Sequence, residues 1–72
     1  MPARLRDIKR ALVAHGIMVR EPSKGSHWVA FTDCASYRIP AHNALKEEIS
    51  DTYIKGLCRA FKLDYTAFKR EL

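Results

Sequence analysis

Mostly apolar residues near the amino terminus recur at intervals of three and four positions: Leu5, Ile8, Ala11, Leu12 and His15. This spacing places them on one side of an α-helix. Pro2 is tolerated in the first turn, and Gly16 suits the position just after a helix ends. The pattern therefore predicts an amphipathic helix over residues 3–15. Its opposite side is basic and is interpreted first as a solvated surface; it carries Arg4, Arg6, Lys9 and Arg10.

Three short segments of extended character follow the helix: residues 17–21, 27–32 and 36–40. Turn-forming residues separate them, so we predict a three-stranded antiparallel meander. Side chains alternate across a strand, so each face of the sheet receives every second residue. We expect His27 to lie at the rim of the sheet. The apolar face is expected to consist of Val29, Phe31, Tyr37 and Ile39.

Helical spacing returns in the last third of the chain, after a polar connection over residues 41–49. Ser50 and Asp51 offer an N-cap and an acidic first turn. The apolar side of the predicted helix consists of Ile54, Leu57, Cys58 and Phe61. Another side forms a basic stripe, a candidate surface for phosphate groups, made of Lys55, Arg59 and Lys62.

Two further residues in this region have structural interpretations. Gly56 weakens a helix by about 1 kcal/mol relative to alanine, so we expect it to pack closely against a strand or a partner. Asp64 is suited to cap a last short helix. The apolar side of that helix is expected to consist of Tyr65, Phe68 and Leu72.

The composition is that of one globular domain, residues 1–72, of the α+β class. The chain has 47% hydrophobic and 29% charged residues, which excludes the disordered and fibrous classes. Thirteen Lys and Arg against eight Asp and Glu give a net charge of +5. The natural partner of such a surface is a polyanion such as nucleic acid, or an acidic protein.

The cysteines and the amino terminus indicate a cytoplasmic protein. Cys34 and Cys58 lie far apart without metal-ligand spacing, so we interpret both as reduced thiols. The amino terminus lacks the apolar run of a signal peptide, and no segment approaches the roughly 20 apolar residues of a membrane span. We therefore expect no membrane partner, and the spacing of His27, His42 and the cysteines disfavours a metal cofactor.

The tripeptide Gly25-Ser26-His27 combines three residue types suited to phosphodiester chemistry. A glycine lets a phosphate approach the backbone, a serine offers a hydroxyl, and an unperturbed histidine has a pKa of roughly 6.5. On the tripeptide alone, the interpretation of His27 as a polar residue that opens a strand is favoured over a catalytic role.

The predicted order of one helix, three strands and another helix occurs together with Gly25-Ser26-His27 and Ile39-Pro40-Ala41-His42. This combination resembles the HicA-type (YcfA-like) mRNA interferase toxins over nearly the whole chain. The resemblance implies a double-stranded-RNA-binding-domain-like fold, α-β-β-β-α, to which this chain adds a short C-terminal helix. It also implies the toxin of a type II toxin–antitoxin system, which cleaves mRNA and is held inactive by a HicB-like antitoxin.

In that family the histidine of the Gly-Ser-His motif, here His27, is the catalytic residue. Metal-free RNA cleavage needs a base, an acid and donors to the phosphorane. We assign His27 as general base or acid, and Ser26 with the amides near Gly25 as phosphate anchors. Lys24 and Arg38 are assigned as charge stabilisers.

Other residues keep two interpretations each. His42 is either a second proton carrier or an ordinary turn residue, and Trp28 either stacks on an unpaired base or lies in the core. His15 is expected to interact with the carbonyls at its helix end. In a second function class, a non-catalytic RNA-binding module, phosphates are held by the first helix together with Lys55, Arg59 and Lys62. In a third function class, a small interaction protein, the positive charge of the chain only binds an acidic protein partner.

Overall fold

A three-stranded antiparallel sheet with helices before and after it gives the protein an α+β fold, as predicted. The computed structural model describes residues 2–72. The elements in chain order are β1 (Ala3–Arg4), α1 (Leu5–Ala14), β2 (Met18–Arg20), β3 (His27–Phe31), β4 (Ser36–Pro40), a 3-10 helix (Ala44–Lys46), β5 (Glu48–Ile49), α2 (Asp51–Ala60) and α3 (Tyr65–Arg70).

Helix α1 begins later than predicted because the residues before it form a strand. Ala3 and Arg4 constitute β1, which pairs antiparallel with β5 in the segment interpreted as a polar connection. The amide of Leu5 then donates to the Glu47 carbonyl at 2.9 Å. The partner strand is distant in sequence, so helical periodicity alone could not have revealed this pairing.

The carboxyl end of α1 is closed by a glycine, as predicted. Gly16 has a φ of +79°, a left-handed conformation that costs glycine little. Its amide donates to the Val13 carbonyl at 3.0 Å, and the Ile17 amide donates to the Leu12 carbonyl at 2.9 Å. These two bonds make a Schellman motif, which turns the chain directly into β2.

The sheet has the order β2-β3-β4 and buries one of its two faces. Trp28, Ala30 and Ile39 are between 0% and 3% exposed. Trp28 lies directly opposite Ile39 across β3 and β4, so the two side chains share this inner face. The helices cover the inner face: Lys9 of α1, for example, lies 6.0 Å from the centre of the Trp28 ring.

The prediction that Val29 and Phe31 supply the core is wrong, whereas Ile39 is buried and Tyr37 packs against the core as expected. Val29 and Phe31 are only partly buried and lie on the other face. The reason is the register, because Phe31 pairs with Ser36 across a four-residue connection. With that pairing, even-numbered residues of β3 share one face of the sheet with odd-numbered residues of β4. Val29 and Phe31 therefore cannot lie on the same face as Ile39.

Hydrogen bonds within the connection hold this register. The Thr32 amide donates to the Ala35 carbonyl at 2.8 Å. The Thr32 hydroxyl in turn accepts from the amides of Cys34 and Ala35, both at 3.2 Å. A one-residue slip would break these bonds and move every side chain of β4 to the opposite face.

Helix α2 packs against β4 through Gly56. A Cβ atom on Gly56 would overlap the hydroxyl of Tyr37, so the predicted close approach to a strand is confirmed. Ile54, Leu57 and Cys58 are buried, and Phe61 is partly buried against the same core. Ser50 takes the extended backbone of an N-cap, but its side chain makes no capping hydrogen bond.

The segment from Asp64 to Leu72 belongs to the core and is not an appendage. Asp64 caps α3 as predicted, since its carboxylate accepts a hydrogen bond from the Ala67 amide at 2.9 Å. Phe68 is 1% exposed, and Tyr65 and Leu72 pack beside it. The last helix therefore contributes to the same hydrophobic core as α2.

Both cysteines are free, in agreement with the prediction of reduced thiols. Cys34 is exposed in the connection after β3, whereas Cys58 is buried in α2. Burial raises the pKa of the Cys58 thiol. None of the helices within residues 2–72 has the length and apolar character that crossing a bilayer requires.

Candidate functional site

His27 lies at the end of the sheet with an exposed side chain. It is the first residue of β3 and lies opposite Pro40 of β4. Alternation places it on the same face as Val29 and Phe31, away from the helices. The position at the rim agrees with the prediction, and the imidazole is open to solvent.

The turn that leads into His27 is fixed by backbone geometry. Gly25 has a φ of +80°, which disfavours any residue with a side chain, although no atom lies within 4 Å of where a Cβ would be. The Ser26 carbonyl accepts a hydrogen bond from the Ala41 amide at 2.7 Å. Lys24 and Gly25 are exposed and Ser26 is partly buried. A ligand could therefore reach the backbone beside His27.

The face of the sheet that carries His27 is open to solvent, since none of its described residues is buried. We call it the outer face. Cross-strand pairing defines its rows: His27 beside Pro40, Val29 between Arg20 and Arg38, and Phe31 between Met18 and Ser36. None of these eight residues is acidic. The outer face therefore presents two guanidinium groups and one imidazole around a small apolar centre.

Arg20 is a feature of the outer face that sequence reasoning missed. Its guanidinium lies 5.1 Å from the centre of the Phe31 ring, a cation–π arrangement. The register Arg20 opposite Val29 also makes Arg20 the counterpart of Arg38 on the other side of β3. The two arginines share a face through the register of β2 and β4 with β3, which alternation along a single strand does not give.

The basic stripe lies on α2 and just after it, in the layer that the helices form against the inner face of the sheet. We call this layer the helix layer; it is separate from the outer face. Lys55 lies 3.5 Å from the Asp51 carboxylate and 5.5 Å from the centre of the Tyr65 ring. Arg59 faces Tyr37: burial raises the pKa of the Tyr37 hydroxyl, Tyr53 raises it further, and the Arg59 charge lowers it. The structure thus does not bring Lys55 and Arg59 together with His27.

Lys62, the third member of the stripe, lies past the end of α2. Its φ is +57°, a left-handed conformation. The Leu63 amide donates to the Cys58 carbonyl at 2.8 Å and the Lys62 amide to the Arg59 carbonyl at 3.4 Å. This is the same Schellman arrangement that Gly16 makes after α1, formed here by a residue with a side chain.

His42 occupies an exposed turn beside a cleft of about 240 Å³. Pro40 lines this cleft and also lies opposite His27, so the two histidines flank Pro40. Glu47 and Glu48 line the same cleft. The Glu47 carboxylate accepts hydrogen bonds from the amide and side chain of Asn43, at 3.0 and 3.1 Å. His42 therefore has an acidic environment that differs from the surroundings of His27.

Two other aromatic groups have structural partners. Trp28 is 3% exposed, so of its two interpretations the core position is correct. The His15 ring nitrogen Nε2 lies 2.9 Å from both carboxylate oxygens of Glu71, and its ring centre lies 6.1 Å from that of Phe68. The His15 side chain was expected to interact with the carbonyls at the end of its own helix. It contacts instead the carboxylate of Glu71, at the end of α3.

Residues 2–72 contain no cluster of three or more His, Cys, Asp or Glu side chains that could hold a metal ion. Comparisons of the chain with protein families, with curated proteins and with solved structures find no match. The functional interpretation therefore depends on the residues and their geometry.

Proposed function

We propose that this protein is a HicA-type mRNA interferase: a cytoplasmic endoribonuclease toxin with a double-stranded-RNA-binding-domain-like fold. Its His27 would cleave mRNA without a metal ion, and a HicB-like antitoxin would hold it inactive. Such an antitoxin is expected to be acidic where it contacts the outer face, because complementary charge speeds and orients association.

One observation carries this proposal: the only histidine on the outer face is exposed and has no carboxylate among its neighbours on that face. RNA brings phosphates, and a basic surface without acidic groups attracts them. The positive φ of Gly25 exposes backbone beside the same imidazole. A phosphodiester could therefore contact the backbone, the Ser26 region and His27 together.

Metal-free cleavage of RNA requires the protein to transfer protons and to stabilise negative charge on the phosphate. The ribose 2′-oxygen attacks phosphorus as its proton leaves, and the bond from phosphorus to the 5′-oxygen breaks as that oxygen gains a proton. His27 would take the first proton or supply the second. Arg38, diagonal to His27 across β3 and β4, would stabilise the charge on the non-bridging oxygens.

The test is incubation of labelled single-stranded RNA with purified protein in the presence of a chelator. His27→Ala should reduce cleavage about 10²- to 10⁴-fold, the usual contribution of general acid–base catalysis. His15→Ala is the matched control, since His15 follows α1, contacts Glu71 at the end of α3 and is not on the outer face; it should cleave like the parent. Circular dichroism establishes that both variants are folded. Cleavage by His27→Ala at the parent rate would refute the catalytic assignment.

The position of His42 favours a second candidate, a non-catalytic RNA-binding module. The proposed second proton carrier lies in a cleft with Glu47 and Glu48 and not on the outer face. If no acid complements His27, the outer face would bind RNA without cleaving it. That function predicts salt-sensitive binding and intact RNA in the same assay. A protein that serves only an acidic protein partner would show no RNA affinity even at low salt.

A further inference from the structure

We propose that Phe31 and Arg20 form a platform on which one unpaired base of the RNA stacks. The inference rests on the proposed function only in taking RNA as the ligand of the outer face. It adds that the RNA is single-stranded where it crosses the sheet. It also assigns a binding role to two residues that the Gly-Ser-His motif does not include.

Phe31 places a partly exposed aromatic ring on the outer face of the sheet. Phe31 is the last residue of β3 and is partly buried, with its side chain on the outer face. Met18, its cross-strand neighbour on β2, is 60% exposed, so nothing on that strand seals the edge of the ring from solvent. Nucleotide bases stack on aromatic side chains presented in this way by a β-sheet.

A guanidinium group accompanies the ring. Arg20 lies 5.1 Å from the Phe31 ring centre, which holds its side chain across the outer face. A guanidinium plane also stacks on bases and pairs with phosphate. Because the guanidinium lies over the Phe31 ring, the pair presents a surface on which a base can stack and a positive charge that can pair with a phosphate.

Phe31 of the platform and His27 lie at opposite ends of β3. The two residues are four apart on one strand, so their Cα atoms are separated by about 13 Å at the usual rise of a β-strand. Between them lies the row in which Val29 is flanked by Arg20 and Arg38. A ligand that reaches from the ring to the imidazole must extend over this row, which favours an oligonucleotide over a free phosphate.

Single-stranded RNA fits this surface better than a duplex. In a duplex the bases are stacked on each other, and proteins contact mainly the phosphates and 2′-hydroxyls. Such a ligand would use the arginines but not the ring of Phe31. The aromatic group therefore discriminates between the two forms of RNA, and its removal should affect only one of them.

The experiment measures RNA binding by fluorescence anisotropy in a His27→Ala background, so that the RNA stays intact. Phe31→Leu should weaken binding of a short single-stranded RNA about tenfold, because it removes the aromatic side chain on which one base stacks. Phe31→Tyr should retain the affinity. Phe61→Leu is the matched control, since it is the same change at a partly buried phenylalanine in the helix layer. It should bind like the parent.

Two RNA variants sharpen the result. Replacing bases one at a time by abasic sites should identify one position at which Phe31→Leu no longer has an effect. A duplex of the same sequence should bind Phe31→Leu and its parent equally. Unchanged single-stranded binding by a folded Phe31→Leu protein would overturn the inference. Equal losses for single-stranded and duplex RNA would overturn it as well.

The outcomes separate this inference from the proposed function. Loss of binding in Phe31→Leu, with no RNA cleavage by the wild-type protein, supports the platform and refutes the nuclease. Cleavage that depends on His27, with unchanged binding by Phe31→Leu, supports the nuclease and refutes the platform. Absence of any RNA binding by the parent at low salt refutes both.

Discussion

The two faces of the three-stranded sheet differ in what their side chains contact. The inner face buries Trp28, Ala30 and Ile39 beneath the helices. The outer face carries His27, Arg20 and other groups that no helix covers within residues 2–72. Adjacent residues of the same strand therefore have different physical tasks. Substitutions on the inner face should change the free energy of unfolding, and those on the outer face should change what the protein binds.

The largest expected effect comes from the pair Trp28 and Val29, neighbours in β3 that lie on opposite faces. Trp28→Ala should cost about 3–5 kcal/mol, because it removes a large buried side chain and leaves a cavity. For a domain of 72 residues this loss approaches the total stability. Val29→Ala should cost markedly less, since Val29 is only partly buried. Urea denaturation of both variants measures the difference.

An equal loss of stability in the two variants would contradict the distinction between a buried inner face and an open outer face. It would mean that the outer face is also packed, for example against a second copy of the chain. Sedimentation at several protein concentrations distinguishes that case, because packing between copies would vary with concentration.

The next effect concerns Lys62, a helix-layer cation in a left-handed conformation. Lys62→Gly should stabilise the protein by about 1 kcal/mol, since glycine adopts this conformation without the steric cost of a Cβ. Single-stranded RNA binding should stay unchanged, because Lys62 is not on the outer face. Thermal unfolding and anisotropy measure the two quantities.

Lys62→Ala is the matched control for this prediction. It removes the charge and keeps the unfavourable backbone conformation, so it should not stabilise the protein. Loss of RNA affinity in both variants would show that the cation itself binds RNA. The basic stripe would then have to be counted with the outer face.

The extent to which the sequence predicted this arrangement differs between the helices and the sheet. Helical periodicity identified the buried residues of α1 and α2, and a glycine in mid-helix correctly indicated close packing, now seen against Tyr37. In β3, by contrast, apolar residues occupy both parities, so alternation alone could not select the buried face. That choice depends on the register set by the connection after Phe31. The rim position of His27 was predictable because a strand end does not depend on register.

The contacts that sequence reasoning did not predict join residues distant in the chain. His15 is bound by Glu71, and Asp51 accepts a hydrogen bond from Tyr65. Neither pair shares a helix, so no spacing rule connects them. The pairing of β1 with β5 is of the same kind. Such contacts follow from the packing of the whole chain, which local patterns do not encode.

The smallest effect tests the helix layer by pH. The hydrogen bond from Tyr65 lowers the pKa of the Asp51 carboxyl from its ordinary value and raises the pKa of Tyr65 to about 12. A carboxyl with a lowered pKa in the folded state stabilises the protein above its ordinary pKa. That contribution is lost as the pH falls through the lowered value. The raised pKa of Tyr65 stabilises below the ordinary value of 10.0 and ceases to do so as the pH rises through about 12.

Tyr65→Phe should therefore be less stable than the parent at neutral pH, and the difference should shrink toward zero in acid as Asp51 becomes protonated. Urea denaturation from neutral pH down to about pH 2 follows the difference, and Tyr53→Phe serves as the matched control, since it is the same change at an exposed tyrosine and leaves the bond between Tyr65 and Asp51 intact. A difference between Tyr65→Phe and its parent that stays constant with pH would mean that lost packing, and not the bond to Asp51, accounts for it. In either case RNA binding at neutral pH should be equal in the two proteins, because Tyr65 and Asp51 belong to the helix layer and the candidate site belongs to the other face of the sheet.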